Sequence, residues 1–98
     1  MGRRNLRRTG FVSKKPLFRL SKPARLRMRQ RSVSPEQIRR TLTQPDRIER
    51  DRADPDLLHA IKRFSNQRGS RVLRVIYNPL AVPWKIVTVF FERARRRR

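Results

Sequence analysis

The run WKIVTVFFE, residues 84–92, constrains the fold more than any other stretch of the chain. It is rich in β-branched and aromatic residues, which favour a β-strand. A second run, VLRVIY at residues 72–77, alternates so that Leu73 and Val75 share one face while Arg74 lies on the other. The two runs therefore predict neighbouring strands of a sheet, joined by the turn-like segment NPLAVP.

The segment DPDLLHAIKRF, residues 54–64, leaves two structures open. It is compatible with a helix capped by Asp54 or Asp56. It is also typical of the first strand of a β-hairpin, because the loop NQRGS follows it and leads into the run at 72–77. We favour the hairpin, which predicts a three-stranded antiparallel sheet.

Two helices are predicted before this sheet. LFRL, residues 17–20, could form a short strand that leads into a helix capped by Ser21. A second helix is predicted from Ser34, with Pro35 at its first position and Gln37 completing a capping box. It should end before Pro45, because the residue before a proline avoids the α conformation.

These elements predict an α+β domain with two N-terminal helices packed on a three- to four-stranded antiparallel sheet. The chain has 98 residues, which supports one domain with a modest core. We expect that domain to cover residues 17–93. Residues 1–16 are expected to form a basic disordered arm, and residues 94–98 an arginine-rich tail.

The net charge of +21, from 28 basic and 7 acidic residues, predicts a polyanionic partner. Arginine predominates, and its planar guanidinium suits the phosphates and bases of RNA. The chain has no cysteine and one histidine, which argues against disulfides and Cys- or His-ligated metal. No apolar run approaches membrane-spanning length. We expect a cytoplasmic protein that binds RNA, with no membrane, metal or small-molecule cofactor.

Two stretches together carry a resemblance to a known family: ARLRMRQRSVSPEQIRRTLTQP at residues 24–45, and AIKRF, RVLRVIYN and KIVTVFF further along the chain. Their order and spacing over residues 17–93 resemble the bacterial family labelled domain of unknown function 4258. That family is similar in layout to the RelE/ParE-like toxins, small basic α+β proteins that include ribonucleases. The resemblance implies a RelE-like sheet, RNA, free or on the ribosome, as substrate, and an antitoxin protein as partner.

The family pattern can be placed on this chain residue by residue. Its Arg-Met pair corresponds to Arg27 and Met28, its second arginine to Arg31, its serine to Ser34 and its final threonine to Thr88. The chain departs from the pattern at two positions. The family histidine falls at Pro23, which can transfer no proton, and the family glycine falls at Ser32. If that histidine is catalytic in the family, this chain has lost that function or uses another group.

Five residues are candidates for phosphodiester chemistry. Arg27 and Arg31 could bind a scissile phosphate, although their stems could equally cover the edge of the core. His59 is the one side chain with an ordinary pKa suited to proton transfer at neutral pH, and Tyr77 is a weaker candidate. Thr88 could orient a phosphate, but threonine is also an ordinary strand residue.

A second group of residues is predicted to contact the nucleic acid. Basic residues alternate with Phe64 and Tyr77 in the predicted hairpin, an arrangement that suits phosphate contacts beside stacked bases. The same aromatic side chains could instead belong to the core. The predicted contacts are Lys62, Arg63, Arg71, Arg74, Arg95, Arg96, Arg97 and Arg98.

The sequence therefore predicts a small basic RNA-binding protein that could also be the ribonuclease of a toxin–antitoxin pair. Cleavage would be metal-free, through attack by the 2′-hydroxyl of the RNA itself. The alternative is a non-catalytic nucleic-acid-binding protein on a degenerate toxin-like scaffold.

Overall fold

The computed structural model describes residues 17–92, so the predicted arm (1–16) and most of the predicted tail lie outside the described residues. Five strands and two helices form this part of the chain. In chain order they are β1 (Phe18–Leu20), α1 (Lys22–Gln30), α2 (Pro35–Thr43), β2 (Arg47–Arg50), β3 (Leu58–Asn66), β4 (Gly69–Asn78) and β5 (Trp84–Phe91).

The five strands form one mixed sheet in the order β1-β5-β4-β3-β2. β1 pairs in parallel with the start of β5, where Phe18 lies opposite Trp84 and Leu20 opposite Ile86. The other three strand pairs are antiparallel. The predicted three- to four-stranded antiparallel RelE-like sheet is therefore wrong. The helices follow the first strand, which joins the sheet through a pairing between residues far apart in sequence.

The strand β2 was not predicted from the sequence. Only Ile48 is apolar in this four-residue strand, so no alternation marks it as a strand. It pairs antiparallel with β3 at the edge of the sheet. Asp46, just before it, accepts a hydrogen bond from the backbone N–H of Arg63 at 2.8 Å. Tertiary pairing, and not local propensity, makes this segment a strand.

The predicted hairpin of residues 58–78 is confirmed. β3 and β4 pair along their whole length, from Leu58 opposite Tyr77 to Asn66 opposite Gly69. Residues 54–57 form turns outside any helix. The β-branched side chains at the centre of this hairpin pack well on a pleated surface, whereas a helix over 54–64 would leave the strand at 72–77 unpaired on that side.

Both predicted helix starts are confirmed. The Ser21 hydroxyl accepts a hydrogen bond from the Ala24 N–H at 3.1 Å and also lies 3.2 Å from the carbonyl of Val87, to which it can donate. At the second helix, Ser34 Oγ accepts from the Gln37 N–H and Gln37 Oε1 accepts from the Ser34 N–H, at 3.1 and 2.9 Å. This capping box satisfies two backbone donors at the start of α2.

Both helices pack on the same face of the sheet. The core contains Ala24 of α1 and Ile38 of α2, both with no exposed surface, against Leu73, Val75 and Ile86 of the central strands. The other face of the sheet carries neither helix, and we call it the helix-free face. No helix in the described range is both long and apolar enough to cross a membrane.

The turn between the helices contains Ser32 in a left-handed conformation, with φ of 56°. A residue with a Cβ atom is disfavoured there, whereas glycine is not. The glycine that the family pattern has at this position thus matches the backbone that the chain adopts.

We expect Ser32→Gly to raise the free energy of unfolding by about 0.5 to 1 kcal/mol, because it relieves the left-handed strain. The measurement is a urea titration followed by circular dichroism. As a matched control, Ser65→Gly, near the end of β3, should lower the free energy of unfolding. An equal loss of stability in both variants would contradict the argument.

Candidate functional site

The helix-free face brings a polar cluster to the middle of the sheet. Side chains alternate along a strand, so His59 and Ile61 lie on the face opposite to buried Ala60. In β4, Arg74 likewise lies on the helix-free face, because the next residue, Val75, is in the core. Ile61 pairs with Arg74. Because His59 lies two residues before Ile61 on the same face of β3, His59 and Arg74 are diagonal neighbours.

Both ring nitrogens of His59 are in hydrogen-bond contact. Nε2 lies 2.6 Å from Oδ1 of Asp51, and Nδ1 lies 2.7 Å from Nη1 of Arg74. A guanidinium can only donate, so Nδ1 is the acceptor and the ring proton sits on Nε2, where it is donated to Asp51. The contacts fix both the tautomer and the orientation of the imidazole.

Asp51 is itself held in place by the turn that precedes β3. Its Oδ2 accepts hydrogen bonds from the backbone N–H groups of Ala53 and Asp54, at 3.1 and 2.9 Å. The side chains of Asp51 and His59 are 21% and 15% exposed, so the pair is largely, but not fully, screened from water.

Arg74 is held by two further carboxylates. Its Nε and Nη2 lie 2.7 and 2.5 Å from Oε2 of Glu92, and its Nη1 lies 3.3 Å from Oε1 of Glu49. Glu49 also accepts from Nε of Arg47 at 2.8 Å. We call Glu49, Asp51, His59, Arg74 and Glu92 the His59 centre.

The hydrogen bonds of the centre stabilise its ionised carboxylates. The contact with His59 lowers the pKa of Asp51, helped by the N–H groups of Asp54 and Ala53. Hydrogen bonds from Arg47 and Arg74 lower the pKa of Glu49. Both groups are therefore charged at neutral pH, and their charges offset those of the two arginines.

A groove with a volume of about 330 Å³ borders the centre. It is lined by the apolar side chains of Ile61 and Val72, the cations Arg47 and Arg63, and Asp46. Glu92, which binds Arg74, also lines it. The groove therefore meets the centre at Glu92, and two cations are among its lining residues.

The five predicted catalytic residues are not gathered at one site. Arg27 and Arg31 are exposed on α1 and its C-terminal cap, on the other side of the sheet. Tyr77 is buried in the core against Trp84, with 5.1 Å between ring centroids, and burial raises its pKa. Only His59 and Thr88 belong to the helix-free face, since Thr88 lies opposite Ile76.

The predicted nucleic-acid contacts also divide between the two faces. Lys62 lies on the helix side and donates to the carbonyl of Gln44 at 2.9 Å. Arg71 lies on that side too, with its Cζ 3.6 Å from the centroid of the Phe91 ring. Arg63 and Arg74 lie on the helix-free face. The remaining four, Arg95 to Arg98, lie outside the described residues.

The three carboxylates of the centre were not predicted from the sequence. Asp51 and Glu49 lie in an acidic segment without a periodic pattern, and Glu92 follows the last strand. The register of β2 with β3 places Glu49 opposite His59. That register would have identified Glu49 as a neighbour of His59, but it can be derived only once β2 is recognised as a strand. Within residues 17–92, no three His, Cys, Asp or Glu side chains are grouped to hold a metal ion.

We expect Asp51→Asn to destabilise the protein at pH 7. The neutral amide lacks the negative charge that strengthens the hydrogen bonds of the carboxylate with His59 and with the backbone N–H groups of the turn. A lowered pKa means that this stabilisation is present above the pKa of an unfolded aspartate, about 3.9, and is lost as the pH falls through the folded value. The stability difference from the parent should therefore shrink below about pH 4.

Urea unfolding at a series of pH values measures this difference. Asp56→Asn is the control, since Asp56 is exposed and its carboxylate accepts no hydrogen bond from residues 17–92. A constant gap between Asp51→Asn and the parent across the acidic range would rule out the proposed role of the charge.

Comparison with known proteins gives a family match that covers most of this fold. The model of the family described as Domain of unknown function (DUF4258) matches residues 20–91. No curated protein and no solved structure matches the chain.

Proposed function

The chain belongs to the DUF4258 family, and we propose that it is an RNA-binding protein whose His59 centre cleaves the RNA backbone without a metal ion. The observation that carries the proposal is the placement of His59 between a carboxylate and a guanidinium on the helix-free face of the sheet. It supplies a group that can transfer a proton beside a group that can bind phosphate.

The first step of the proposed reaction exchanges one contact of Arg74. An incoming phosphate replaces the long contact between Nη1 and Glu49, 3.3 Å in the free protein, and draws Nη1 away from the ring of His59. Glu92 keeps its hydrogen bonds to the other side of the guanidinium. The lone pair on Nδ1 is then free to face the substrate.

In the second step His59 takes the proton of the 2′-hydroxyl through Nδ1. The 2′-oxygen attacks phosphorus, the bond from phosphorus to the 5′-oxygen breaks, and a 2′,3′-cyclic phosphate forms. The imidazolium returns its proton to the leaving 5′-oxygen. Asp51 stabilises the imidazolium while Arg74 stabilises the charge on the phosphate.

The basic surface of α1 provides the RNA-binding part of the proposal. Its exposed cations are Lys22, Arg25, Arg27, Arg29 and, at the C-terminal cap, Arg31, and the helix contains no acidic residue. All seven acidic residues of the chain lie between Glu36 and Glu92. α1 can therefore neutralise phosphates without competition from its own carboxylates.

The second candidate is the non-catalytic RNA-binding protein. It is favoured by the completeness of the His59 centre: both ring nitrogens are occupied and Arg74 has two carboxylate partners without any ligand. A partly buried polar network of this kind can serve stability alone. We propose a cytoplasmic location for either function, because both require RNA as a ligand; ribosome association and an antitoxin partner stay predictions.

We expect the parent protein to cleave labelled single-stranded RNA in chelator, and His59→Gln to lower the cleavage rate about 100-fold or more, since general acid–base catalysis contributes about that much. Glutamine keeps a donor and an acceptor but cannot transfer the proton. The measurement is the rate of fragment formation, with and without ribosomes, and the detection of cyclic phosphate ends.

Binding without cleavage by the parent protein would favour the second candidate. Equal cleavage by the parent and His59→Gln would place the catalytic group elsewhere. Thermal unfolding of the variant separates loss of chemistry from loss of fold.

We expect the double variant Arg27→Ala/Arg31→Ala to bind RNA more weakly and with less dependence on salt. Each phosphate of a single strand that the variant no longer neutralises should reduce the slope of log affinity against log salt by about 0.7. Fluorescence anisotropy at several salt concentrations measures the slope. At saturating protein the variant should cleave at the parental rate, because α1 lies across the sheet from His59. An unchanged slope would exclude α1 from the binding surface.

A further inference from the structure

A second cavity lies on the helix side of the sheet, away from the His59 centre. Its volume is about 280 Å³, and it lies between the first turns of α2 and the end of the β3–β4 hairpin. The residues that matter for its chemistry are Glu36, Arg40, Phe64, Arg71 and Phe91, all of which line it. None of them takes part in the proposed cleavage.

Two arginines of this cavity lie over two aromatic rings. The Cζ of Arg71 is 3.6 Å from the ring centroid of Phe91, and that of Arg40 is 5.6 Å from the ring centroid of Phe64. Neither arginine forms an ion pair with an acidic residue of the described chain. Their charges are therefore available to an anion, and their planes and the rings offer surfaces on which a base can stack.

Glu36 gives the cavity a carboxylate at the start of α2. It is exposed, and no hydrogen bond or ion pair joins its side chain to another residue of 17–92. A carboxylate accepts two hydrogen bonds side by side. Guanine is the RNA base whose Watson–Crick edge presents two adjacent N–H donors, whereas each other base presents an acceptor at one of those positions.

We propose that this cavity binds one guanine base of single-stranded RNA. The base stacks on the Phe64 ring or the Arg71 guanidinium, Glu36 accepts from its N1–H and N2–H groups, and Arg40 neutralises a neighbouring phosphate. The proposal rests on the RNA-binding part of the proposed function and not on cleavage. It gives a protein bound mainly through charge a preference for sequence.

The test compares two fluorescently labelled RNA decamers, oligouridine and the same oligomer with one central guanosine. We expect the parent protein to bind the guanosine oligomer about tenfold more tightly, the effect of one good bidentate base contact. Glu36→Gln should remove the preference, because an amide cannot accept both hydrogen bonds. Asp56→Asn changes the net charge equally at an exposed turn and should keep the preference.

Equal affinity of the parent protein for the two oligomers would overturn the proposal, as would a preference that survives in Glu36→Gln. If neither oligomer binds, the proposed RNA binding fails, and the cavity is tested by itself with mononucleotides. Amide NMR shifts at residues 64–71 on addition of guanosine monophosphate, but not cytidine monophosphate, would support the guanine site. The absence of such shifts would refute it.

Discussion

The alternation of side chains along β4 is the constraint on which the rest of the structure depends. Leu73, Val75 and Tyr77 are buried under the two helices, and this sends Arg74 to the other face of the sheet. A shift of one residue in the register of β4 would bury a guanidinium under α1 and α2 and expose three core residues. The packing of the core therefore fixes the position of the cation to which the whole His59 centre is attached.

The His59 centre is coupled to that constraint through hydrogen bonds. Arg74 joins Glu92, at the end of β5, to Glu49 of the edge strand β2, so the polar network ties together strands that are not neighbours in the sheet. Partly buried polar groups are costly when one partner is removed. The same contacts that hold the edge of the sheet also fix the orientation of the His59 ring, so the edge strand and the imidazole depend on one set of hydrogen bonds.

Local signals in the sequence were sufficient for the helices and the central strands. Ser34 and Gln37 are three residues apart, and their reciprocal capping needs nothing beyond that spacing. β1 and β2 are short and depend on partners elsewhere in the chain, so their pairing had no local signature. The contacts of the candidate site were not predicted for the same reason. His59 was named as a candidate from its chemistry, but its contacts with Asp51 and Arg74 follow from strand register, which composition does not reveal.

The parallel pairing of β1 with β5 also determines where the two terminal segments join the domain. The carbonyl of Leu17 accepts a hydrogen bond from the N–H of Trp84, the first residue of β5. Glu92 directly follows the last residue of the same strand. With 8 residues in β5, the two attachment points are about 25 Å apart. Leu17 and Glu92 therefore mark opposite ends of one strand, so contacts made beside one of them are a strand length from contacts made beside the other.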